Sequence, residues 1–283
     1  MTQSKKLGRL LVVGTPIGNL EDLSPRGRRA LAEADAVFCE DTRVTAKLAA
    51  RFGLPARRIA CPGPREESRV AELLERLERG ETVALVSDAG MPTLSDPGTR
   101  LVEAAAAAGH AVLVVPGPSA PAAALAVSGL PAVPHTFLGF LPAREGERRR
   151  FLEAARDRPE TLVWFESPHR LRESLFAAAA VLGGRRACVA RELTKLHEEI
   201  VRGTLPELAA AFAERGEARG EITVVVEGRR GADEAASDED VDARIRAALA
   251  GGEPLKALSK QIARSTHRPA RQIYARALEL AKR

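Results

Sequence analysis

The chain has 283 residues, 45% of them hydrophobic and 29% charged, with a formal net charge of +5. That is an ordinary soluble composition, long enough for two compact units and a small appendage. No apolar run reaches membrane-spanning length, and Lys5-Lys6 precedes only four apolar residues before Gly14 with no small-residue cleavage pattern, which reads against a signal peptide. Cys39, Cys61 and Cys188 are scattered without metal or pairing spacing, so reduced thiols in a cytoplasmic setting are expected.

The first predicted strand is the run Leu10 to Val13, which breaks into Gly14-Thr15-Pro16-Ile17-Gly18-Asn19. Ser24-Pro25 then reads as the N-cap and first residue of a helix. "AVFCE" is a second short strand. "SRVAELLERLERG" is an amphipathic helix with Val70, Leu73, Leu74 and Leu77 on one face and Gly80 as its stop. The strand "TVALVS" follows. Asp96-Pro97 is expected to open the next helix, which ends at Gly109 before the strand "AVLVV".

A second round starts at Ser119, the expected cap of "APAAALAVSG". It continues through "TFLGF", a charged helix from about Glu145, the strand "TLVWF" and a helix after Pro168. The strands "RACVA" and "EIVRG", a helix from Pro206 and the strand "EITVVVEG" complete it. Strand–helix alternation is the mark of a parallel sheet covered by helices. The fold class expected is α/β: an N-terminal α/β domain over 1–117, a second over 118–228, an acidic linker over 229–240 and a basic helical module over 241–283.

That module carries ten Lys/Arg against three Asp/Glu, so all the excess positive charge of the chain lies there. Three short helices are predicted in it, with a turn at Ser265-Thr266-His267 and a core of Ala257, Leu258, Ile262, Ile273, Tyr274 and Leu278. A helix carrying Arg268, Arg271 and Arg276 after a tight turn has a helix-turn-helix pattern, suited to docking on a polyanion or simply to a solvated surface. Aromatic residues make up only 4% of the chain, which argues against a stacking platform of the RNA-recognition-motif kind.

Three loops follow predicted strands, where open α/β folds bind ligands: Gly14 to Leu20, "VSDAGMPTLSDPG" at 86–98, and "VVPGPSAP" at 114–121. The first lacks G-x-G-x-x-G spacing and has Pro16 where a backbone N–H should meet a pyrophosphate; no P-loop occurs. With no Lys or Arg to neutralise phosphates, these loops suit a cofactor of little negative charge, and a sulfonium such as S-adenosylmethionine fits.

Together "VGTPIGNLEDLS", "EDTR", "VSDAGMPTLSDPG", "VVPGPSA", "FLGFLP", "WFESPHR" and "GEITVVVEG" resemble the tetrapyrrole-methylase superfamily, and within it the branch that methylates ribosomal RNA. The resemblance covers essentially the whole chain. Corrin- and porphyrin-methylating members typically show Gly-x-Gly-Pro-Gly-Asp in the first loop and Gly-Asp-Pro in the second. Here the corresponding segments are Gly-Thr-Pro-Ile-Gly-Asn and Ser-Asp-Ala-Gly.

The resemblance implies two α/β domains with S-adenosylmethionine in the cleft between them, a homodimer, and 2′-O-methylation of a cytidine ribose in the decoding region of 16S rRNA, free or in the small ribosomal subunit. Carried over onto matching positions, the cofactor contacts implied are Ile17, Ser87, Asp88, Ala89, Met91, Ser119 and Ala120. The second half adds Glu166, where relatives present a methionine, then Leu193, Gly220, Glu221 and Ile222.

Methyl transfer to a hydroxyl is an in-line displacement that depends on positioning, helped by a group that accepts the hydroxyl proton. No metal is called for. The candidates for the base are Lys195, Glu40 and Asp41. Arg43, Arg170 and Arg191 are candidate phosphate clamps, with Arg268 and Arg271 contacting RNA from the tail. Each has a plainer reading as an ion pair or cap; for Arg43 it is a pair with Asp41 or with an acid of a neighbouring chain. Asp96 is expected to be structural and Trp164 to lie in the core. Two alternatives stay open: a methylase of a tetrapyrrole or corrin precursor, and a helix-turn-helix DNA-binding regulator without catalytic activity.

Overall fold

The computed structural model describes residues 8–55, 57–215, 219–229, 238–251, 254–266 and 269–281, with backbone alone at 238–240, 250 and 264–266. The chain divides into two compact units, residues 1–156 with 161–226, and residues 157–160 with 227–283.

The larger unit holds two five-stranded sheets. In the first, β1 (Arg9–Val13), β2 (Ala36–Cys39), β3 (Arg57–Ala60), β4 (Thr82–Val86) and β5 (Ala111–Val115) lie in the order β3-β2-β4-β1-β5, every pair parallel. The crossovers are α1 (Pro25–Glu33), α2 (Thr42–Phe52), α3 (Glu66–Glu78) and α4 (Thr99–Ala107). Strand side chains alternate between the faces. Leu11, Val13 and Val37 pack with Leu31 of α1 and Leu48 of α2. Leu10, Phe38 and Leu85 pack with Leu73 and Leu77 of α3 and Leu101 of α4. Both faces are thus buried, as a parallel sheet requires. The order places β1 between β4 and β5, so the loops leaving these three strands are neighbours.

The second sheet is mixed rather than parallel. After α5 (Ala120–Ser128) come β6 (His135–Phe140), α6 (Glu145–Ala154), β7 (Thr161–Glu166), α7 (Leu171–Leu182), β8 (Arg186–Arg191), β9 (Glu199–Thr204), α8 (Leu205–Glu214) and β10 (Ile222–Val226). The order is β6-β7-β10-β8-β9, and only β6 with β7 is parallel. The connection from β8 to β9 is too short for a parallel crossover, so those strands must reverse. Trp164, Leu162 and Val224 face α7 and α8 with Leu175 and Leu208. Val163, Cys188 and Val225 face α5, and Ile17 of the first loop joins that layer.

Two elements were not foreseen: α2 and β3, the latter an edge strand with one buried residue in four. The helix expected from Asp96 begins at Thr99 behind Gly98, at φ 128°, and its first-turn N–H groups at Arg100 and Leu101 donate instead to the Glu66 carboxylate at 2.5 and 3.3 Å. Asp96 is therefore free of the capping role. The three cysteines are unpaired and buried.

The smaller unit contains α9 (Asp238–Ala250), α10 (Leu255–Thr266) and α11 (Ala270–Ala281) around Val241, Ile245, Leu258, Ile262, Ile273 and Ala277. Three of the expected core residues, Ala257, Tyr274 and Leu278, are instead exposed. The helix α9 supplies the missing wall, which rotates the buried faces of its partners. Arg276 is not a free cation: its guanidinium forks onto Asp242 at 2.7 and 2.5 Å. The helix α9 takes up the last three residues of the expected linker, while 230–237, His267 and Arg268 lie outside the described residues.

Candidate active site

The three loops of the first sheet are stitched into one wall. Thr15 and Gly90 exchange backbone hydrogen bonds, N–H to carbonyl, at 2.9 and 3.2 Å, which joins the first loop to the second. The buried Thr15 hydroxyl donates to the Ser87 and Gly90 carbonyls at 3.2 and 3.3 Å. Gly14 donates its N–H to Val115 at 3.0 Å and lies against Gly117 of the third loop. Opposite, the turn between β8 and β9 approaches: the Asn19 N–H donates to the Thr194 hydroxyl at 3.0 Å, and Gly18 leaves no room for a Cβ beside Lys195.

A cavity of about 290 Å³ opens between these walls. Ile17, Ala89, Met91, Ser119, Ala120, Glu166, Leu193, Gly220, Glu221 and Ile222 all line it, which gathers most of the expected cofactor contacts from six separate segments. Ser87 and Asp88 do not line it. The Ser87 hydroxyl is buried and donates to the Gly90 carbonyl at 3.2 Å, supporting the loop from behind, and Asp88 accepts from the Asp41 N–H at 3.1 Å. Glu166 has its side chain fully buried; one carboxylate oxygen accepts from the Ser167 N–H at 2.9 Å and pairs with the Arg170 guanidinium at 3.4 Å, and the other has no hydrogen-bond partner. A buried acceptor left unpaired costs free energy that a donor on a ligand recovers.

A second depression adjoins the first, sharing Ile17, Ala89 and Glu221 with it and adding Asp88, Lys47 and Lys195. The Lys195 ammonium donates to Glu192 at 2.7 Å and pairs with Glu221 at 3.2 Å. Burial opposes its charge, but those two carboxylates outweigh burial and raise its pKa. Lys195 is a fixed cation, which counts against it as the base. Asp41 caps α2 through the Arg43 N–H at 2.8 Å, and the Arg43 guanidinium grips the same carboxylate at 2.6 Å. That hydrogen bonding holds Asp41 down at about 2, too weakly basic to take a proton from a hydroxyl. For Glu40, burial, and after it the charges of Asp88, Asp96 and Asp41, raises the pKa.

Asp96 is the residue that sequence reasoning misplaced. It lines the cavity beside Ser95 and Phe140. Burial, partly offset by a hydrogen bond with Ser87 and reinforced by Asp88 and Glu221, lifts it from 3.8 to about 6. Thr93 and Ser95, with φ of 73° and 68°, hold the backbone just before it in the left-handed region. Such conformations disfavour side-chain-bearing residues and persist where the surroundings impose them.

The arginines sort differently from expectation. Arg170 pairs with Glu166 at 3.4 Å and donates to the Leu141 and Pro142 carbonyls, and Arg191 pairs with Glu199 at 3.0 Å across β8 and β9 and donates to the Arg219 carbonyl at 3.2 Å. Both brace the fold instead of standing ready as clamps. Arg43 pairs with Asp41 yet keeps a largely exposed side chain, on a surface shared with Arg57 and Arg58, which the sequence reading passed over. Arg271 is exposed on α11.

The Tetrapyrrole (Corrin/Porphyrin) Methylases profile matches residues 9–209. The chain is similar to "Ribosomal RNA small subunit methyltransferase I" of Mesorhizobium japonicum, 45% identical over 96% of this chain and 92% of that one. It is similar to the protein of the same name from Mycobacterium tuberculosis, 49% identical over 78% of each. Among solved structures the methyltransferase CobJ superposes with a TM-score of 0.61 at 23% identity, covering 78% of this chain and 95% of that chain. Diphthine synthase superposes with a TM-score of 0.58 at 17% identity, covering 78% and 90%; these two likenesses show the fold. By profile and by identity over nearly its full length, the chain belongs to the ribosomal RNA small subunit methyltransferase I family of the tetrapyrrole methylases.

Proposed function

We propose that the chain transfers a methyl group from S-adenosylmethionine to the 2′-hydroxyl of a cytidine ribose in the decoding region of 16S rRNA. S-adenosylmethionine is the family's methyl donor, and when bound it supplies an electrophilic methyl group on a sulfonium. The cavity fits it in kind. Its charged lining residues are carboxylates, Asp96, Glu166 and Glu221, and a lining of that sign suits a cation and repels a pyrophosphate. The unpaired oxygen of Glu166 is an acceptor for a donor group of the cofactor, and Gly220 with Ile222 forms an apolar flank for its adenosine.

The observation that carries the reading is the stitched loop wall, Thr15 to Gly90 and Gly14 to Val115, which holds one side of the cavity rigid. In-line transfer needs such positioning more than it needs a strong base. Of the three candidates for the base, Glu40 is the one whose carboxyl pKa burial raises, but it lines neither depression. Asp96 joins it as a candidate, because it lines the cavity and titrates near the working pH. Lys195 acts as a cation that orients Glu192 and Glu221. Arg43, Arg57 and Arg58 provide a basic face for RNA phosphates, and the module over 241–283 a second, with Arg271 exposed in it.

The division into α/β domains over 1–117 and 118–228, a linker over 229–240 and a basic module belongs to the same proposal, as do a cytoplasmic location and a homodimer. No helix among the described residues is long and apolar enough to cross a membrane. The edge strand β5 leaves Leu113 and Val114 about half exposed, an apolar edge suited to a second copy. The names of the relatives and the absence of the Gly-Asp-Pro signature favour RNA over a tetrapyrrole substrate. Incubation with labelled cofactor and undermethylated small subunits tests the proposal: label on a 2′-O-methylcytidine supports it, and label on a tetrapyrrole precursor alone refutes it.

A further inference from the structure

Phenylalanines are scarce in this chain, eight in all, yet three of them pack together and two of the three line the cavity. Phe165 on β7 stands 4.9 Å from Phe137, edge to face, and 5.4 Å from Phe140, ring centre to ring centre. Phe140 and Phe165 both line the cavity, and Phe140 remains 53% exposed.

Strand β6 is built to produce this arrangement. Its parallel register with β7 runs Phe137 to Val163 and then Phe140 to Phe165, so three residues of β6 advance while β7 advances two. Without the extra residue, Phe140 would alternate to the face opposite Phe137. The bulge returns it to the same face, with Gly139 accepting the left-handed turn at φ 66°. A large apolar ring set half in water by an irregular strand gains nothing for the core. It gains by being covered by something that arrives from solvent.

We propose that Phe140, backed by Phe165, is the platform on which the nucleobase of the target nucleotide stacks once it leaves its RNA helix. The inference rests on the RNA-methylation reading of this site and adds the subsite for the base. A base displaced from its stack loses stacking energy, and an aromatic side chain at the rim of the pocket returns part of it without regard to sequence. The proposed cofactor contacts fall at other lining positions; Ile17, Leu193 and Ile222 among them are buried, while Phe140 is the half-exposed aromatic of the lining.

The test measures methyl transfer into undermethylated small subunits and, separately, S-adenosylmethionine binding by calorimetry, for the wild type, Phe140→Ala and Phe140→Trp. With half its surface exposed, Phe140 can be truncated without opening the core. The expected result is a rise of about tenfold or more in the KM for subunits in Phe140→Ala. Cofactor affinity should stay within about twofold, and Phe140→Trp should restore the KM. Equal loss of cofactor affinity in Phe140→Ala would make the ring a cofactor wall and overturn the proposal. An unchanged KM beside an active wild type would overturn the subsite alone. A wild type that labels no RNA would overturn the methylation reading beneath it.

Discussion

Gly14 and Gly117 pack backbone against backbone: a Cβ placed on Gly117 would lie 2.8 Å from the carbonyl carbon of Gly14. This contact brings the loop after β1 against the loop after β5, where the cavity wall begins. Both positions need glycine because the neighbour is main chain, which cannot swing aside as a flexible side chain can.

Replacing Gly117 with alanine is therefore expected to force the two loops apart. Overpacking of this kind costs about 1–3 kcal/mol. Chemical denaturation should show a loss of that size, and calorimetry a loss of S-adenosylmethionine binding with the far-ultraviolet circular dichroism retained. Unchanged cofactor affinity would show that the loop wall does not shape the site.

The pH dependence turns on Asp96, which burial raises from 3.8 to about 6. Between those values the folded chain keeps a proton that the unfolded chain has released. Its contribution to stability is complete below about 4, declines as pH rises and is gone above about 6. Asp96→Asn should thus show a smaller fall in Tm between pH 4 and pH 7 than the wild type. A cationic cofactor favours the ionised carboxylate, so wild-type affinity for S-adenosylmethionine should strengthen as pH rises through about 6, and Asp96→Asn should flatten that curve.

For Lys195, charge is the property at issue. Held at 2.7 Å from Glu192 and 3.2 Å from Glu221, it orients as a cation the cavity-lining Glu221 and the neighbouring Glu192. Lys195→Arg should keep a substantial part of kcat and Lys195→Met should lose about tenfold or more, the scale of a charge-assisted hydrogen bond. Equal and complete loss in both variants would point to proton transfer by the amine itself.

The basic module predicts a separable effect. Truncation after residue 229 should weaken RNA binding and make it less sensitive to salt, by about 0.7 in the log–log slope for each phosphate contact removed from single-stranded RNA. Affinity for S-adenosylmethionine should not change. Filter binding across a salt series, with calorimetry alongside, measures both.

Much of this site was legible because its signals are local. Glycine and proline punctuate the loops after β1, β4 and β5, and those loops lie where parallel strands end. What escaped depends on neighbours. Asp96-Pro97 has the local form of a helix start, but Gly98, at φ 128°, moves the start to Thr99 and leaves Asp96 in the cavity. Every residue of β10 is buried, and such a strand looks the same whether its partners run parallel or antiparallel. Arg170 and Arg191 read equally as clamps or as ion pairs until the chain folds and brings carbonyls, Glu166 and Glu199 to them. Composition correctly marked aromatics as rare, yet it carries no information on three phenylalanines packing together.

The most direct measurement is tritium transfer from labelled S-adenosylmethionine into small ribosomal subunits that lack ribose methylation, with nuclease mapping of the product. The account predicts label on a single 2′-O-methylcytidine in the decoding region. Clear cofactor binding with no label on the RNA would contradict it.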